Sequence, residues 1–290
     1  MIYNEKQTGM AAMAACAVLW SCGGILIKLV NWHPLATAGI RSILAGAFIL
    51  LILKKPRFRF SKIEIMAALA HSLTMIFFVS ATRTTTAANA ILLQYTAPIY
   101  VAILGGFILK EKPSIHHWLA LVTILLGLGL FFKDELGPGH GLGNLLGLAS
   151  GISFALFSIF MRLQKEGNPL ESLLLSNFLT ALIGIPFYFQ GPGPDLTGWL
   201  SIGALGIFQT GLSLMLFSYG IKRIRALSAM LIAALEPLLN PLWVFLITGE
   251  KPGYWSLIGG LIILSAVTSS SVLSSLKPQE KPWPLHETQQ

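Results

Sequence analysis

One acid stands deep inside an apolar stretch. Glu236 lies about 11 residues, roughly 16 Å, into a hydrophobic segment at 226–248, near the middle of any bilayer that the segment crosses. Charge at that depth is costly, which makes the residue a functional candidate. Pro237 follows it directly, and Asn240-Pro241 come within the next turn. Two prolines so close together remove backbone hydrogen bonds and expose carbonyls, a condition tolerated where a cavity or a neighbouring helix can satisfy them. Ala233, Glu236 and Asn240 share one helical face at spacings 0, 3 and 7. Such a face could bind a cationic group or pass a proton through Glu236, with an amide beside it. The plainer reading is a buried acid that carries its proton or is held by an arginine. Arg41, about seven residues into the segment 34–53, is the arginine placed inside a span. It could pair with Glu236, snorkel toward the near membrane face, or meet a carboxylate of a bound molecule.

The segment around Glu236 repeats an earlier one. Pro98 is followed thirteen residues later by Glu111-Lys112-Pro113, and Pro237 thirteen residues later by Glu250-Lys251-Pro252, at a common offset of 139. Under that offset Ala233, Glu236 and Asn240 correspond to Gln94, Ala97 and Val101. A cavity shared by the copies would have unlike walls, an amide from one and a carboxylate plus an amide from the other. A second pair of faces follows. His71, Thr74 and Phe78 line up in the first copy, and Thr210, Ser213 and Phe217 in the second, with Gln209 alongside. Small hydroxyls and an aromatic suit an amphipathic small molecule such as an amino acid. Ordinary packing explains the same residues, since Ser and Thr are common interhelical glue and a buried His is often a packed one.

The elements that must position these residues are membrane helices. The chain has 290 residues, 54% hydrophobic and 11% charged, with mean hydropathy +0.71, whereas soluble domains carry about 25% charged residues. Apolar runs predict an all-α integral membrane protein with ten spans near 9–31, 34–53, 63–82, 85–109, 114–132, 140–162, 169–190, 197–220, 226–248 and 254–275. Five spans per copy is an odd number. Residues 9–132 and 140–275 are therefore expected to enter the bilayer from opposite sides, as two inverted five-helix repeats with cargo bound near the midplane between them. The tail 276–290 holds three prolines and few apolar residues and is expected to be disordered and cytoplasmic. Gly143, Gly147 and Gly151 form a small-residue ladder that predicts close helix packing.

Charge placement orients the bundle. With ten spans, fifteen of the twenty Lys and Arg fall on the side of the termini, among them Lys54, Lys55, Arg57, Arg59 and Lys62 in one linker, and four fall on the other. This bias predicts both termini in the cytoplasm, in an inner membrane. It also accounts for the net charge of +8 without nucleic acid. Lys28 and Arg162, near span ends, are expected to snorkel, and the adjacent His116 and His117 read as solvated loop residues. Cys16 and Cys22 are six residues apart on one helix, too far to bridge, and cannot build a metal cluster. The sequence has no phosphate-binding loop, no His-Glu-x-x-His pair and no Gly-x-Ser-x-Gly elbow. No catalytic residues, metal or cofactor are expected.

Two five-helix copies, Trp20 in the first span, Arg41 in the second, a proline in the fourth and ninth, and the Glu that closes each of those spans resemble the EamA-type branch of the drug/metabolite transporter superfamily. The likeness runs through Ala97-Pro98 to Glu111-Lys112-Pro113, Leu235-Glu236-Pro237 to Gly249-Glu250-Lys251-Pro252, and Gly259-Gly260. It implies a central cavity walled by spans 1, 3, 4, 6, 8 and 9, which adds Trp20 to the expected cargo contacts. It implies export of a small metabolite, an amino acid or a related amphipathic compound, by alternating access, with protons as a coupling ion or none. Other solute classes, nucleotide-type or drug-like, are the alternative. A membrane enzyme acting on lipid-borne groups would need an interfacial catalytic cluster that the sequence lacks. The expected partners are a small-molecule substrate and the lipid bilayer; nothing in the sequence indicates an oligomeric state.

Overall fold

The structure, a computed structural model, describes residues 2–85, 87–133, 141–166, 168–248 and 253–276, and every regular element among them is helical. The first half contains α1 (Ile2–Ser21), α2 (Gly23–Lys28), α3 (Pro34–Leu53), α4 (Lys62–Thr84), α5 (Ala87–Gln94), α6 (Ala97–Ile108) and α7 (Ile115–Phe131). The second contains α8 (Gly141–Leu163), α9 (Pro169–Gly184), α10 (Leu196–Ala204), α11 (Ser213–Arg223), α12 (Ala226–Ala233), α13 (Leu235–Thr248) and α14 (Tyr254–Leu276). A 3₁₀ turn, Ile185–Phe187, extends α9, and a π-helical stretch, Leu205–Leu212, joins α10 to α11. Among the described residues, eight segments are long and apolar enough to cross a membrane; Ile115–Phe131 and Ala226–Leu239 are shorter apolar helices. The tail from Lys277 and the second Glu-Lys-Pro at 250–252 lie outside the described residues.

Local chemistry starts the helices where the sequence changes character. Ser61 accepts from the Glu64 N–H at 3.2 Å, and Asp195 from the Gly198 N–H at 2.8 Å, each capping a first turn. Pro34 and Pro169 occupy first-turn positions, where a missing N–H costs nothing.

Three spans expected to be continuous are broken. The first splits at Cys22 between α1 and α2, the fourth at Tyr95-Thr96 between α5 and α6, and the ninth at Ala234 between α12 and α13. The last two breaks share a cause. Pro98 has no N–H to give the Gln94 carbonyl, and Pro237 none for Ala233, so each helix stops one turn before its proline. The equivalence is close: α5 and α12 begin and end 139 residues apart, and α7 and α14 begin 139 apart.

Packing comes in related pairs. α4 lies on α8 and α1 on α11; α4 lies on α9 and the π-helical stretch on α3; α6 meets α12, α7 meets α14 and α3 meets α9. The 139-residue offset exchanges the members of the first two couples and returns α7–α14 and α3–α9 each to itself, whereas it carries α6–α12 onto α13–α5. Small residues set the closest approaches. A Cβ on Gly259 would stand 2.5 Å from the Gly127 carbonyl oxygen, so α14 and α7 touch backbone to backbone. The glycine ladder on α8 packs as expected: a Cβ on Gly151 would meet the Leu93 carbonyl at 2.9 Å, and one on Gly143 the Thr84 backbone at 2.6 Å.

Candidate functional site

The break between α12 and α13 places Glu236 in the first turn of α13. Its Oε2 accepts a hydrogen bond from the Tyr95 hydroxyl at 2.8 Å. The same hydroxyl lies 3.0 Å from the Ala233 carbonyl oxygen, the acceptor that Pro237 leaves without its helical donor. Tyr95 is buried at the α5–α6 break, so one side chain from the first break closes the second. Sequence reasoning missed it. Its one signal was a phenol inside a span, which must find a polar partner.

Arg41 is not the partner of Glu236. It is buried on α3, and its Nη2 donates to the Met75 sulfur of α4 at 3.2 Å. The ion pair found among the described residues is Arg162 with Glu111. The expected pairing fails because depth along two helices does not specify the direction each faces; α3 packs on α9 and the π-helical stretch, while α13 packs on α1, α14 and α2. At 8% exposure Arg41 does not snorkel either.

Three of the ring-bearing candidates, Trp20, Phe217 and His71, meet in one cluster. Trp20 lies 5.7 Å from Phe217 and 5.8 Å from Phe154, Phe217 lies 5.1 Å from Phe157, and Phe157 lies 4.6 Å from His71. Phe154 and Phe157 were not singled out in the sequence; they sit on α8 beside the glycine ladder. His71 is buried and its Nδ1 is hydrogen-bonded to Ser176 of α9.

The remaining candidates spend their polar groups nearer home. Thr74 donates to the Ala70 carbonyl at 2.7 Å. Ser213 is fully buried and donates to the Thr210 carbonyl at 3.0 Å. Gln94 donates through Nε2 to Ser150 at 2.9 Å, and Ser150 to the Thr74 carbonyl at 3.3 Å, which ties α5, α8 and α4 together. Phe78 is half-buried on α4. Gln209 lies in the π-helical stretch and lines a cavity of about 310 Å³ with Cys22, Ile25, Leu26, Phe208 and Trp243. Cys22 follows Trp20 by two residues, so this cavity and the aromatic stack use opposite faces of their segment. Asn240 falls within α13, and its side chain lies outside the described residues.

The sequence model of the EamA-like transporter family matches this chain twice, at residues 7–133 and again at 141–272. The chain belongs to the EamA-like transporter family. An "uncharacterized transporter" of Archaeoglobus fulgidus is 27% identical over 266 residues, covering 91% of this chain and 97% of its own length. The "uncharacterized transporter YxxF" of Bacillus subtilis is 23% identical over 287 residues, covering 93% and 91%. A solved crystal structure superposes with TM-score 0.81 over 93% of this chain and 99% of its own, at 17% identity, which establishes the fold. The protein is a multi-pass membrane transporter.

The two family matches are bound together at one end of the bundle. Arg162 on α8, in the second match, donates through Nε to Glu111 Oε1 of the first at 2.8 Å. Its Nη1 donates to the Ile221 and Lys222 carbonyls, 3.0 and 2.7 Å away at the end of α11. Glu111 Oε2 accepts from the Ala226 N–H at 3.0 Å, where α12 begins. Arg162 therefore turns inward, contrary to the snorkelling expected. Carbonyls at the end of one helix and an N–H at the start of another, which lack intrahelical partners, give the pair more acceptors and donors than the interface would. His117 is also buried, not solvated: it closes a capping box with Ser114 at the start of α7, and its Nε2 lies 3.3 Å from Ser228 on α12.

Proposed function

We propose that this transporter is a secondary carrier of ten crossing helices in two inverted copies, exporting an amino acid or a related amphipathic metabolite by alternating access. The observation that carries the reading is a half-buried carboxylate at a helix break, hydrogen-bonded to a tyrosine at the matching break of the other copy. Discontinuous helices at a repeat interface are where carriers hold cargo. Related packing pairs and the doubled family match support the repeat. The odd number of spans per copy supports its inversion.

In this reading Glu236 receives a cationic group or the exchanged proton. The stack of Trp20, Phe154, Phe157 and Phe217 borders the apolar part of the cargo, and Gln94, Gln209 and Asn240 offer amides to its polar part. His71, Thr74, Phe78 and Ser213 complete the α4 and α11 walls. The basic surplus on the side of the termini supports a cytoplasmic location for both. Cells of an export-deficient host fed dipeptides test the reading. Cells that express the protein should release at least one of the liberated amino acids several-fold faster than control cells. Glu236→Gln should lose that release at an unchanged membrane level. No faster release from any dipeptide, or undiminished release by Glu236→Gln, refutes it.

A further inference from the structure

Two arginines of this chain are equally buried and are treated in opposite ways. Arg162 and Arg41 each keep 8% of their surface exposed. Arg162 spends its guanidinium on a carboxylate and two helix-end carbonyls. Arg41 has one thioether, Met75 Sδ at 3.2 Å. Sulfur of that kind is a weak acceptor, and a guanidinium carries five donors and cannot shed its charge in a protein. No carboxylate among the described residues pairs with Arg41, and its Nε and Nη1 find no acceptor among them. An uncompensated charge inside a bilayer is among the costliest features a helix can hold. A purely structural position would be served better by methionine or leucine, which fill similar space without the charge.

Position gives the charge a use. Arg41 reaches from α3 to Met75 on α4, and Met75 stands four residues beyond His71 and three before Phe78, on one helical face. That face belongs to the pathway in the reading above. On the other side a Cβ at Gly206 of the π-helical stretch would stand 3.0 Å from the Arg41 carbonyl oxygen, so Arg41 lies between α4 and that stretch. We infer that Arg41 is an oxyanion site: its free guanidinium edge holds a carboxylate or phosphate group, in the fork geometry that guanidinium offers to two oxygens. The charge that no carboxylate among the described residues balances is balanced by what the site binds. With Glu236 on another wall, unpaired with Arg41, the site suits a zwitterion whose two ends meet opposite charges. This inference rests on the pathway reading, but its test needs no transport.

The test is thermal unfolding of the purified full chain in detergent, at constant ionic strength, with acetate, inorganic phosphate or chloride. A ligand that binds only the folded state raises the midpoint as its concentration passes its dissociation constant. The wild type should gain stability with acetate or phosphate, and Arg41→Met should lose that gain completely. Without anions, Arg41→Met should melt higher than the wild type, while Arg162→Met melts lower. A lower midpoint or loss of folded protein for Arg41→Met would make Arg41 a structural charge and overturn the inference. So would anion stabilisation that survives the substitution, stabilisation by chloride alone, or none by any anion. Acetate binding that depends on Arg41, together with no release in the dipeptide assay, would leave the site standing and remove the export reading.

Discussion

Removing one oxygen atom should loosen the contact between the two helix breaks. Tyr95→Phe keeps the ring in its buried place and deletes the hydroxyl that serves Glu236 at 2.8 Å and the Ala233 carbonyl at 3.0 Å. The carbonyl has lost its helical donor to Pro237, so its share is that of a buried acceptor left open, about 1 kcal/mol. The hydroxyl has one proton for both acceptors, so the loss to the carboxyl overlaps that to the carbonyl; a full bond to a charged group would contribute about 1.5–3 kcal/mol. Hydrogen bonds between membrane helices average about 0.6 kcal/mol, with a maximum near 1.7, because the unfolded chain also finds partners in the membrane. The expected total is therefore about 2 kcal/mol. Glu236→Gln leaves an oxygen able to accept from Tyr95 and should cost about 1 kcal/mol or less. In the Glu236→Gln background Tyr95→Phe still removes a neutral hydrogen bond, but no longer the part that depends on the carboxylate charge. A coupling energy of about 1 kcal/mol between the two sites should remain. Reversible unfolding in mixed detergent micelles measures all four proteins. A cost for Tyr95→Phe within about 0.3 kcal/mol of zero, or costs that add within about 0.5 kcal/mol, would refute the link between the breaks.

Arg162→Met should destabilise the folded protein by about 3–5 kcal/mol, the usual consequence of stranding one member of a buried pair; adding Glu111→Gln should recover part of it, and a strictly additive loss in the same unfolding assay would contradict a true pair. Reporter fusions after Leu53 and at the C-terminus should read cytoplasmic and one near Gly193 external, and an external C-terminus would exclude the ten-span, positive-inside arrangement.

The membrane-helix class was legible because hydrocarbon thickness demands apolar runs of a known length; eight described segments meet it, and the count of ten needs the shorter helices Ile115–Phe131 and Ala226–Leu239 as well. The breaks were half legible. Pro98 and Pro237 announced lost hydrogen bonds, but helical periodicity carried the expected spans straight through Tyr95 and Ala234. Residue faces were also readable, and Trp20, His71 and Phe217 do meet in one stack. Partners were not, because a face says where a side chain points and nothing about which helix waits there. Arg162 lies near a span end, where snorkelling is the default; that Glu111, 51 residues earlier, would meet it depends on how α6 and α8 cross. Tyr95 meets Glu236 from 141 residues away for the same reason. His117 is the exception, since Ser114 three residues earlier spelled a capping arrangement that local reading could have found.

What the two copies share and what they do not divide the labour between scaffold and chemistry. Shared features recur at the same offset: the prolines that end α5 and α12, the starts of α7 and α14, and the exchange of packing partners. The hydroxyls of Thr74 and Ser213 recur, but the charged groups and Tyr95 do not. The counterpart of Glu236 is Ala97, of Tyr95 Ala234, of Arg41 Thr180 and of Arg162 Gly23. Each replacement has its own local logic. Thr180 is satisfied by the Ser176 carbonyl at 3.0 Å, and Gly23 lies where a Cβ would press Gln209 Nε2 at 2.9 Å. In the proposed carrier, an acid and a cation can stand on different walls only because the two halves differ at these positions. Under the proposed function, the positions that differ between the halves and are shielded from solvent are the first to test for cargo, while the positions that agree would build the frame around it.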